Sequence, residues 1–337
     1  MKIIHHTILL ALLLTMSSCS WVHHLQLNTL RPAQVSYHHA SPAVIIVNNC
    51  LDDSLHESSR YINENGKQYR LTSTIDSISH TMAMSLGTQL YDSHAFERVE
   101  IFTPDSNSIT GIVGLNEPLL SQLQSQAPDD VHIAINAVIP TALMQVTPTE
   151  GIFCSKFSIM SQAHMQCFIP NREVINLSVC DTLYWQSYGD TPGIANAYMP
   201  DFEECIDESI TSLSSKAANL FAPHMRIVNR CIFVTGHPAM KDAYKYWDNS
   251  QYTEASYIWE YVYKKAKNKG RRAKAAANLA LYNEIEENYT EALRYAQEAA
   301  SILTEINDVE ATLYIIEYVA DLQHRIEEAN LLDQAIQ

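Results

Sequence analysis

The four-residue word YTEA occurs twice in this chain, at Tyr252 and at Tyr289, which lie 37 residues apart. A degraded third copy, IEEA, begins at Ile326, another 37 residues along. Around the first two copies, matching small and apolar residues recur three and four positions apart, as on one face of a helix. A further helical pattern precedes each copy. The sequence therefore predicts about three helix pairs with a period of 37 over residues 237–337, and the alternative is an irregular helical bundle.

The second unit reads NLALYNEIEENYTEALRYAQEA and resembles the tetratricopeptide repeat (TPR). Leu279 and Ala280 stand at the Leu-Gly position of the first helix, and Ala292 and Ala299 stand at the small positions of the second. Small residues at these positions let two helices approach closely, while larger neighbours fill the space beside them. The fold class that follows is α+β, an α/β-type sheet domain with an antiparallel extension followed by an all-α TPR-like domain.

The TPR resemblance also implies a groove, lined by the first helix of each pair, that binds a peptide or protein. The residues that this resemblance places along the groove are Tyr244, Trp247, Lys274 and Asn278. Asn278 falls where such repeats place an amide that contacts the backbone of a ligand. An ordinary surface asparagine near the start of a helix is the alternative interpretation.

The first residues have the layout of an export signal, with Lys2 near the start, an apolar run at 8–14 and small residues before Cys19. The MSSCS segment resembles a bacterial lipobox, which predicts a signal peptide at 1–18 and lipidation of Cys19. An ordinary secretory signal is the alternative. Residues 19–36 show little apolar periodicity, so we expect a lipidated tether.

Between the tether and the repeats, residues 37–236 alternate between strand and helix patterns, which is typical of an α/β sheet. Three short apolar runs near 151–179 have hairpin spacing and predict the antiparallel extension. We expect a loop at 185–192, a helix at 194–221 and a final strand at 225–234, which closes this domain. The remaining predicted elements are strands at 43–49, 97–102 and 131–138 and helices at 75–91 and 119–126.

Six cysteines follow Cys19, and an exported chain permits disulfides among them. Cys154 and Cys167 flank the first predicted hairpin, so they could form a disulfide, and buried free thiols are the alternative. The formal net charge of −16 argues against binding to a nucleic acid, since phosphate contacts need clustered Lys and Arg.

No sequence motif of a hydrolase, metalloprotease, phosphate-binding loop or dinucleotide-binding fold is present. Three His-His pairs lie in or near the signal and tether, where a metal site is not expected. The sequence therefore predicts no catalysis, no cofactor and no metal. A catalytic site assembled only by folding from Cys, His and Asp stays the least supported alternative.

Taken whole, the chain resembles a family of uncharacterised Bacteroidetes lipoproteins through its lipobox, LRPA at 30–33, VIIVNN at 44–49 and a segment at 247–292. The resemblance implies an outer-membrane lipid anchor in the cell envelope, and the absence of acidic residues after Cys19 favours the periplasmic face. The function expected is a protein-interaction or scaffold module for another envelope protein or peptide. The alternative is a glycan- or nutrient-binding lipoprotein of the starch-utilisation type.

Overall fold

The computed structural model describes residues 22–37, 42–50, 61–64, 67–70, 75–105 and 108–336. The chain divides into two compact units, a sheet unit at 32–224 and a helical unit that joins residues 22–31 to Met225–Gln334. The predicted signal peptide at 1–18 and the lipidated Cys19 lie outside the described residues, so both stay predictions. Within the described ranges, no helix is both long and apolar enough to cross a membrane.

The strands are β1 (Val22–Arg31), β2 (Ala43–Asn48), β3 (Tyr61–Glu64), β4 (Lys67–Arg70), β5 (Arg98–Phe102), β6 (Val131–Thr149), β7 (Ile152–Phe168), β8 (Ile175–Gly189) and β9 (His224–Phe233). The helices are α1 (Ile75–Asp92), α2 (Glu117–Gln126), α3 (Pro192–Ala197), α4 (Phe202–Phe221), α5 (Pro238–Asp248), α6 (Tyr252–Lys265), α7 (Lys269–Ile285), α8 (Tyr289–Glu305) and α9 (Val309–Ile336).

The sheet unit is built on a mixed sheet with neighbours in the order β4, β3, β6, β2 and β5. The apolar, β-branched strand β2 pairs in parallel with β5 and β6, which suits a strand buried on both faces. Strands β6, β7 and β8 form an antiparallel meander. Helices α1 and α4 cover one face of the sheet and α2 packs on the other, which confirms a mixed sheet domain.

Three local predictions in this unit are wrong. The first predicted hairpin is one continuous strand, β7, because buried residues alternate along it and it pairs with β6 and β8 throughout. The predicted loop at 185–192 is largely strand, since β8 continues to Gly189. The predicted helix at 194–221 is two helices, α3 and α4, separated at Pro200, whose ring disfavours a helical residue before it.

The extended path of β7 excludes the predicted disulfide between Cys154 and Cys167. Cys154 and Cys167 lie on this one strand, about 43 Å apart at the rise of an extended chain. They cannot bond to each other, and the six cysteines after Cys19 are free thiols. Cys180 is exposed and Cys231 is half-buried, while the others are buried.

In the helical unit, strand β1 occupies most of the segment that the sequence analysis assigned to a tether. Its inward-facing residues alternate, with Leu25 and Leu27 packed on the helical core and Thr29 and Arg31 buried. It pairs with β9, which the prediction had assigned to the α/β domain. The boundary therefore falls between His224 and Met225 instead of after residue 236.

Helices α5 to α9 follow β9, and this run of helices confirms the coarse C-terminal prediction. Helices α6 and α8 begin on Tyr252 and Tyr289, the first residues of the two YTEA words. The turns before them place Ser250 and Glu287, again 37 residues apart, in the left-handed region with φ of 59° and 58°.

The third copy of the word does not begin a helix, because α9 runs without interruption from Val309 to Ile336. The buried residues Ile315, Tyr318, Leu322 and Arg325 recur at intervals of three and four through this region, as on one continuous helical face. The residues before Ile326 also lack the Asn-Ser or Glu-Asn turn that precedes the first two copies. The predicted third helix pair is therefore one long helix.

Candidate partner-binding site

The predicted groove residues on α5 both make aromatic contacts within the helical unit. The ring of Tyr244 stacks on His23 of β1, with centroids 4.1 Å apart and an interplanar angle of 13°. Trp247 is buried, and its ring lies 5.2 Å from that of Trp259 and 4.6 Å from that of Tyr252. Trp247 is thus a core residue that joins α5 to α6, while Tyr244 contacts the N-terminal strand.

The predicted groove residues on α7 contact β9. Asn278 is completely buried, and its side chain accepts a hydrogen bond from the N–H of Phe233 at 2.9 Å and donates one to the C=O of Phe233 at 2.8 Å. Lys274 lies 3.5 Å from the carboxylate of Asp308 and 5.9 Å from the centroid of the Phe233 ring. The amide that the TPR resemblance assigned to a ligand backbone thus binds the backbone of the chain itself.

The two strands β1 and β9, termed here the strand pair, contact the first helix of each predicted unit. Strand β1 meets α5 through His23 and α9 through His24, whose ring centroid lies 5.7 Å from that of Tyr314. Strand β9 meets α7 through Phe233 and Asn278. The side of the helices on which the resemblance placed a partner is therefore occupied by the strand pair.

A buried ionic cluster lies where the strand pair meets α7 and α9. Arg230 makes a bidentate contact with Glu284, at 2.8 Å and 2.7 Å, and a further contact with Asp321 at 2.5 Å. Tyr318 donates its hydroxyl to Glu284 at 2.8 Å, and the guanidinium of Arg230 lies 4.6 Å from the Tyr318 ring centroid. Bidentate, charge-assisted bonds of this kind are the geometry that makes a buried charge tolerable.

Two more arginines extend this cluster towards the end of α9. Arg31 of β1 contacts both Asp321, at 3.2 Å, and Glu328. Arg325 donates to the C=O of Leu30 and to the hydroxyl of Tyr289, the latter at 2.8 Å. Glu284, Asp321 and Glu328 balance the three arginines, so the ionic cluster carries no net formal charge.

The environment of the ionic cluster shifts its pKa values in directions that keep the charges in place. Burial acts to lower the pKa of Arg230, but its bonds to Glu284 and Asp321 outweigh burial and raise it. Burial acts to raise the pKa of Asp321, but Arg230 and Arg31 hold it below its ordinary value. Burial and the neighbouring Glu284 carboxylate raise the pKa of Tyr318 far above its ordinary range.

None of these charged residues was predicted from the sequence as part of a site. Its arginines come from three segments that are distant in the sequence, and only the folded chain brings them together. The available signal was a charged residue within an apolar pattern: Arg230 interrupts IVNRCIFV and Glu284 interrupts LALYNEI. Such charges are rarely buried unless they are paired.

Beside the ionic cluster lies a cavity of about 580 Å³, termed here the β9–α9 cleft. Residues 226–231 of β9 and His24 of β1 line one side, and one face of α9 lines the other, including Tyr314, Glu317 and Asp321. Ile227 is 61% exposed in this region. Among the described residues, no group of three His, Cys, Asp or Glu side chains is placed to hold a metal ion.

Comparisons with known proteins identify two families by their sequence models. The model described as Domain of unknown function (DUF8603) matches residues 42–233, and the model described as Domain of unknown function (DUF6340) matches residues 241–324. No curated protein matches the chain significantly.

One matching solved structure is a crystal structure of a Xanthomonas campestris protein assigned to the DUF330 family. The two chains are 11% identical, and the match covers 57% of this chain and 91% of that one with a TM-score of 0.25. A TM-score of this size carries no argument about the fold or function of this chain.

Proposed function

The chain belongs to the DUF8603 family, whose description names no activity, and we propose that it is a membrane-anchored envelope lipoprotein that binds another envelope protein through its helical unit. The proposal includes TPR-like repeats, a lipid on Cys19 and no catalysis. It also places the protein on the periplasmic face of the outer membrane.

The repeated contact between helices is the observation that carries the proposal. Ala255 and Ala292, at the fourth position of the two YTEA words, are both fully buried. The same words begin α6 and α8, and the same left-handed turn precedes both helices. Stacked helix pairs with equivalent small-residue contacts are the structural unit of TPR-like arrays, whose extended surfaces bind proteins.

Aromatic side chains outside the core give this unit a surface suited to a protein partner. Tyr257 and Tyr261 on α6 are 66% and 57% exposed. They lie four residues apart, on one side of the helix. Tyrosine is enriched in protein interfaces because its ring supplies contact area while its hydroxyl remains hydrogen-bonded.

A retention assay tests the proposal. The chain from residue 20 to residue 337 is immobilised and exposed to detergent-solubilised envelope proteins, beside a bead control and the variants Tyr257→Ser, Tyr261→Ser and Tyr184→Ser. We expect specific retention that falls with a variant in the helical unit and persists with Tyr184→Ser in the sheet unit. Retention no greater than on bare beads, or lost only with Tyr184→Ser, would rule out binding by the helical unit.

The anchor is tested separately by Cys19→Ala in cells. We expect the variant protein to leave the membrane fraction, because one residue carries the whole lipid attachment in this proposal. An unchanged membrane fraction would contradict a lipid on Cys19, and it would leave partner binding to the retention assay.

A second candidate function, glycan binding, is favoured by one exposed face of the meander in the sheet unit. Tyr184, 77% exposed, stands on β8 with Thr182 and Gln186 as its neighbours on the same face. These aromatic, hydroxyl and amide side chains suit an uncharged, hydroxyl-rich ligand, and the exposed Lys156 of β7 stands opposite Gln186 on the same face. Calorimetry against a glycan panel, with Tyr184→Ala as the loss-of-binding variant, distinguishes this candidate from the first.

A further inference from the structure

We propose that the β9–α9 cleft binds an extended, uncharged peptide segment, which adds as a third strand along the edge of β9 that faces away from β1. This inference rests on the proposed function, because it names the kind of partner segment that the helical unit takes. The binding mode is strand addition, in which backbone hydrogen bonds supply affinity and alternate side chains supply specificity.

One backbone edge of β9 faces β1 and the other faces away from it. The hydroxyl of Thr29 on β1 donates to the C=O of Arg226 at 3.1 Å, so the backbone of Arg226 faces β1. Backbone groups of successive residues in a strand point to opposite edges. The backbone groups of Ile227, Asn229 and Cys231 therefore point to the other edge.

Side chains already satisfy backbone groups along this second edge. Phe233, which lies on it by the same alternation, has both its N–H and its C=O bonded to the side chain of Asn278. The C=O of Asn229 accepts from Nη1 of Arg230 at 3.1 Å. Asn278 thus occupies the place of a neighbouring strand at one end of the edge, and the β9–α9 cleft begins next to it.

The cleft is lined by six consecutive residues of β9, 226–231. This run includes Ile227, Asn229 and Cys231, whose backbone groups point away from β1, and His24 of β1 also lines the cavity. Within the described residues, β9 has β1 as its strand neighbour and no second one. Six residues of extended strand span about 20 Å, enough for a segment of similar length.

The side chains of the cleft define the chemistry of the segment. Ile227 and Tyr314 are exposed apolar contacts on opposite walls of the cleft. Arg226 and Glu317, both exposed there, have opposite charges, while Arg230 and Asp321 are already paired with each other. The imidazole rings of His24 and His324 complete the polar part of the lining. A segment with apolar side chains at alternate positions and no net charge fits this lining.

A random dodecamer peptide library displayed on phage is the probe for this site. The library is selected against the chain from residue 20 to residue 337. The selected peptides are then synthesised, and their affinities are measured for that chain and for its Ile227→Asp and Ile316→Asp variants. Ile316 is an exposed α9 residue outside the cleft lining, so it is the matched control. We expect the affinity to fall at least about tenfold with Ile227→Asp and to stay unchanged with Ile316→Asp.

Methylation of single backbone nitrogens in a selected peptide then tests for strand addition. We expect binding to weaken about fivefold or more at every second residue, because only alternate N–H groups face β9. Hydrogen exchange at Ile227 and Asn229 should slow when the peptide binds. A library that gives no binders, equal affinity for Ile227→Asp, or methylation losses without a period of two would each overturn the cleft proposal.

The proposed function and the cleft proposal can be contradicted independently by these experiments. Retained envelope protein together with no cleft-dependent peptide would overturn this inference and leave the proposed function standing. Peptides that bind in the cleft without any retained envelope protein would leave the cleft a peptide site and remove the assignment of an envelope partner.

Discussion

Replacing Asn278 by alanine tests whether this amide holds the fold together or contacts a ligand. In the structure, its side chain bonds both backbone groups of Phe233, at 2.9 Å and 2.8 Å, and no part of it is exposed. The substitution removes a donor and an acceptor from a buried site and leaves the two backbone groups without this partner. We therefore expect Asn278→Ala to destabilise the helical unit.

The expected size follows from the number of groups affected. A buried polar group that loses its partner costs about 1–3 kcal/mol, so two such groups lower the free energy of unfolding by about 2–4 kcal/mol after partial relaxation. At roughly 4 °C per kcal/mol for a unit of this size, the melting temperature falls by roughly 8–16 °C. Hydrogen exchange in α7 and β9 should accelerate with it, because these two elements lose their shared contact.

The matched control is Asn249→Ala, since this exposed asparagine donates to a single backbone C=O, that of Lys245, at 2.7 Å. Water can replace that bond, so we expect a loss below about 1 kcal/mol. Thermal unfolding followed by circular dichroism and hydrogen-exchange mass spectrometry measure both variants. A stability loss for Asn278→Ala no larger than the control, together with lost partner retention, would contradict the structural role of Asn278 and favour a contact with a ligand.

Three further predictions concern titratable groups. The pKa of Asp321 is lower in the folded chain than its ordinary value of 3.8. Its contribution to stability is therefore present above pH 3.8 and is lost as the pH falls through the folded pKa. We expect Asp321→Asn to flatten the pH dependence of denaturation midpoints below about pH 4. Burial lowers the pKa of His132, opposed by Asp130, and its Nε2 is buried without a hydrogen bond among the described residues. Stability is therefore full above pH 6.5 and falls at lower pH, and His132→Phe should remove that fall in the same denaturation series. Burial raises the pKa of Cys167 to about 12, and burial with nearby carboxylates raises the pKa of Cys205 to about 11. In timed alkylation followed by mass spectrometry, we expect the exposed Cys180 to be labelled first and both buried thiols only on unfolding. Early labelling of Cys167 would contradict the packing of β7.

Local patterns in the sequence predicted the elements whose signal is contained within one segment. The apolar run of β2 and the helical spacing of α1 were both identified, because burial on one or two faces imposes a period that is visible locally. The YTEA words likewise marked the first residue of α6 and of α8. A buried alanine at a fixed place in a helix leaves the same signal wherever it occurs.

The strand β1 could not be predicted with the same reliability because its partner, β9, is about 200 residues away. Its alternation of Leu25, Leu27 and Thr29 is visible in hindsight, but two histidines and a glutamine among them resemble a polar linker. This strand also contributes to the surroundings of the predicted groove residues. Without β1 and β9, Asn278 and Tyr244 point to an open groove, and with them both side chains have partners within the chain.

The position of β1 also changes what a lipid on Cys19 implies. Val22 lies three positions after Cys19, so β1 begins at most about 11 Å along the chain from the proposed anchor. Arg31 at the other end of β1 is buried and bonded to Asp321 and Glu328, which ties this strand to α9. The helical unit would then be held close to the lipid surface, with a short reach for any partner.

Inserting ten Gly-Ser residues after Cys19 adds up to about 36 Å of reach. We expect the insertion to leave the affinity for a soluble cleft peptide unchanged and to reduce cross-linking to a membrane-bound partner in cells. Equal cross-linking with and without the insertion would show that proximity to the membrane does not select the partner.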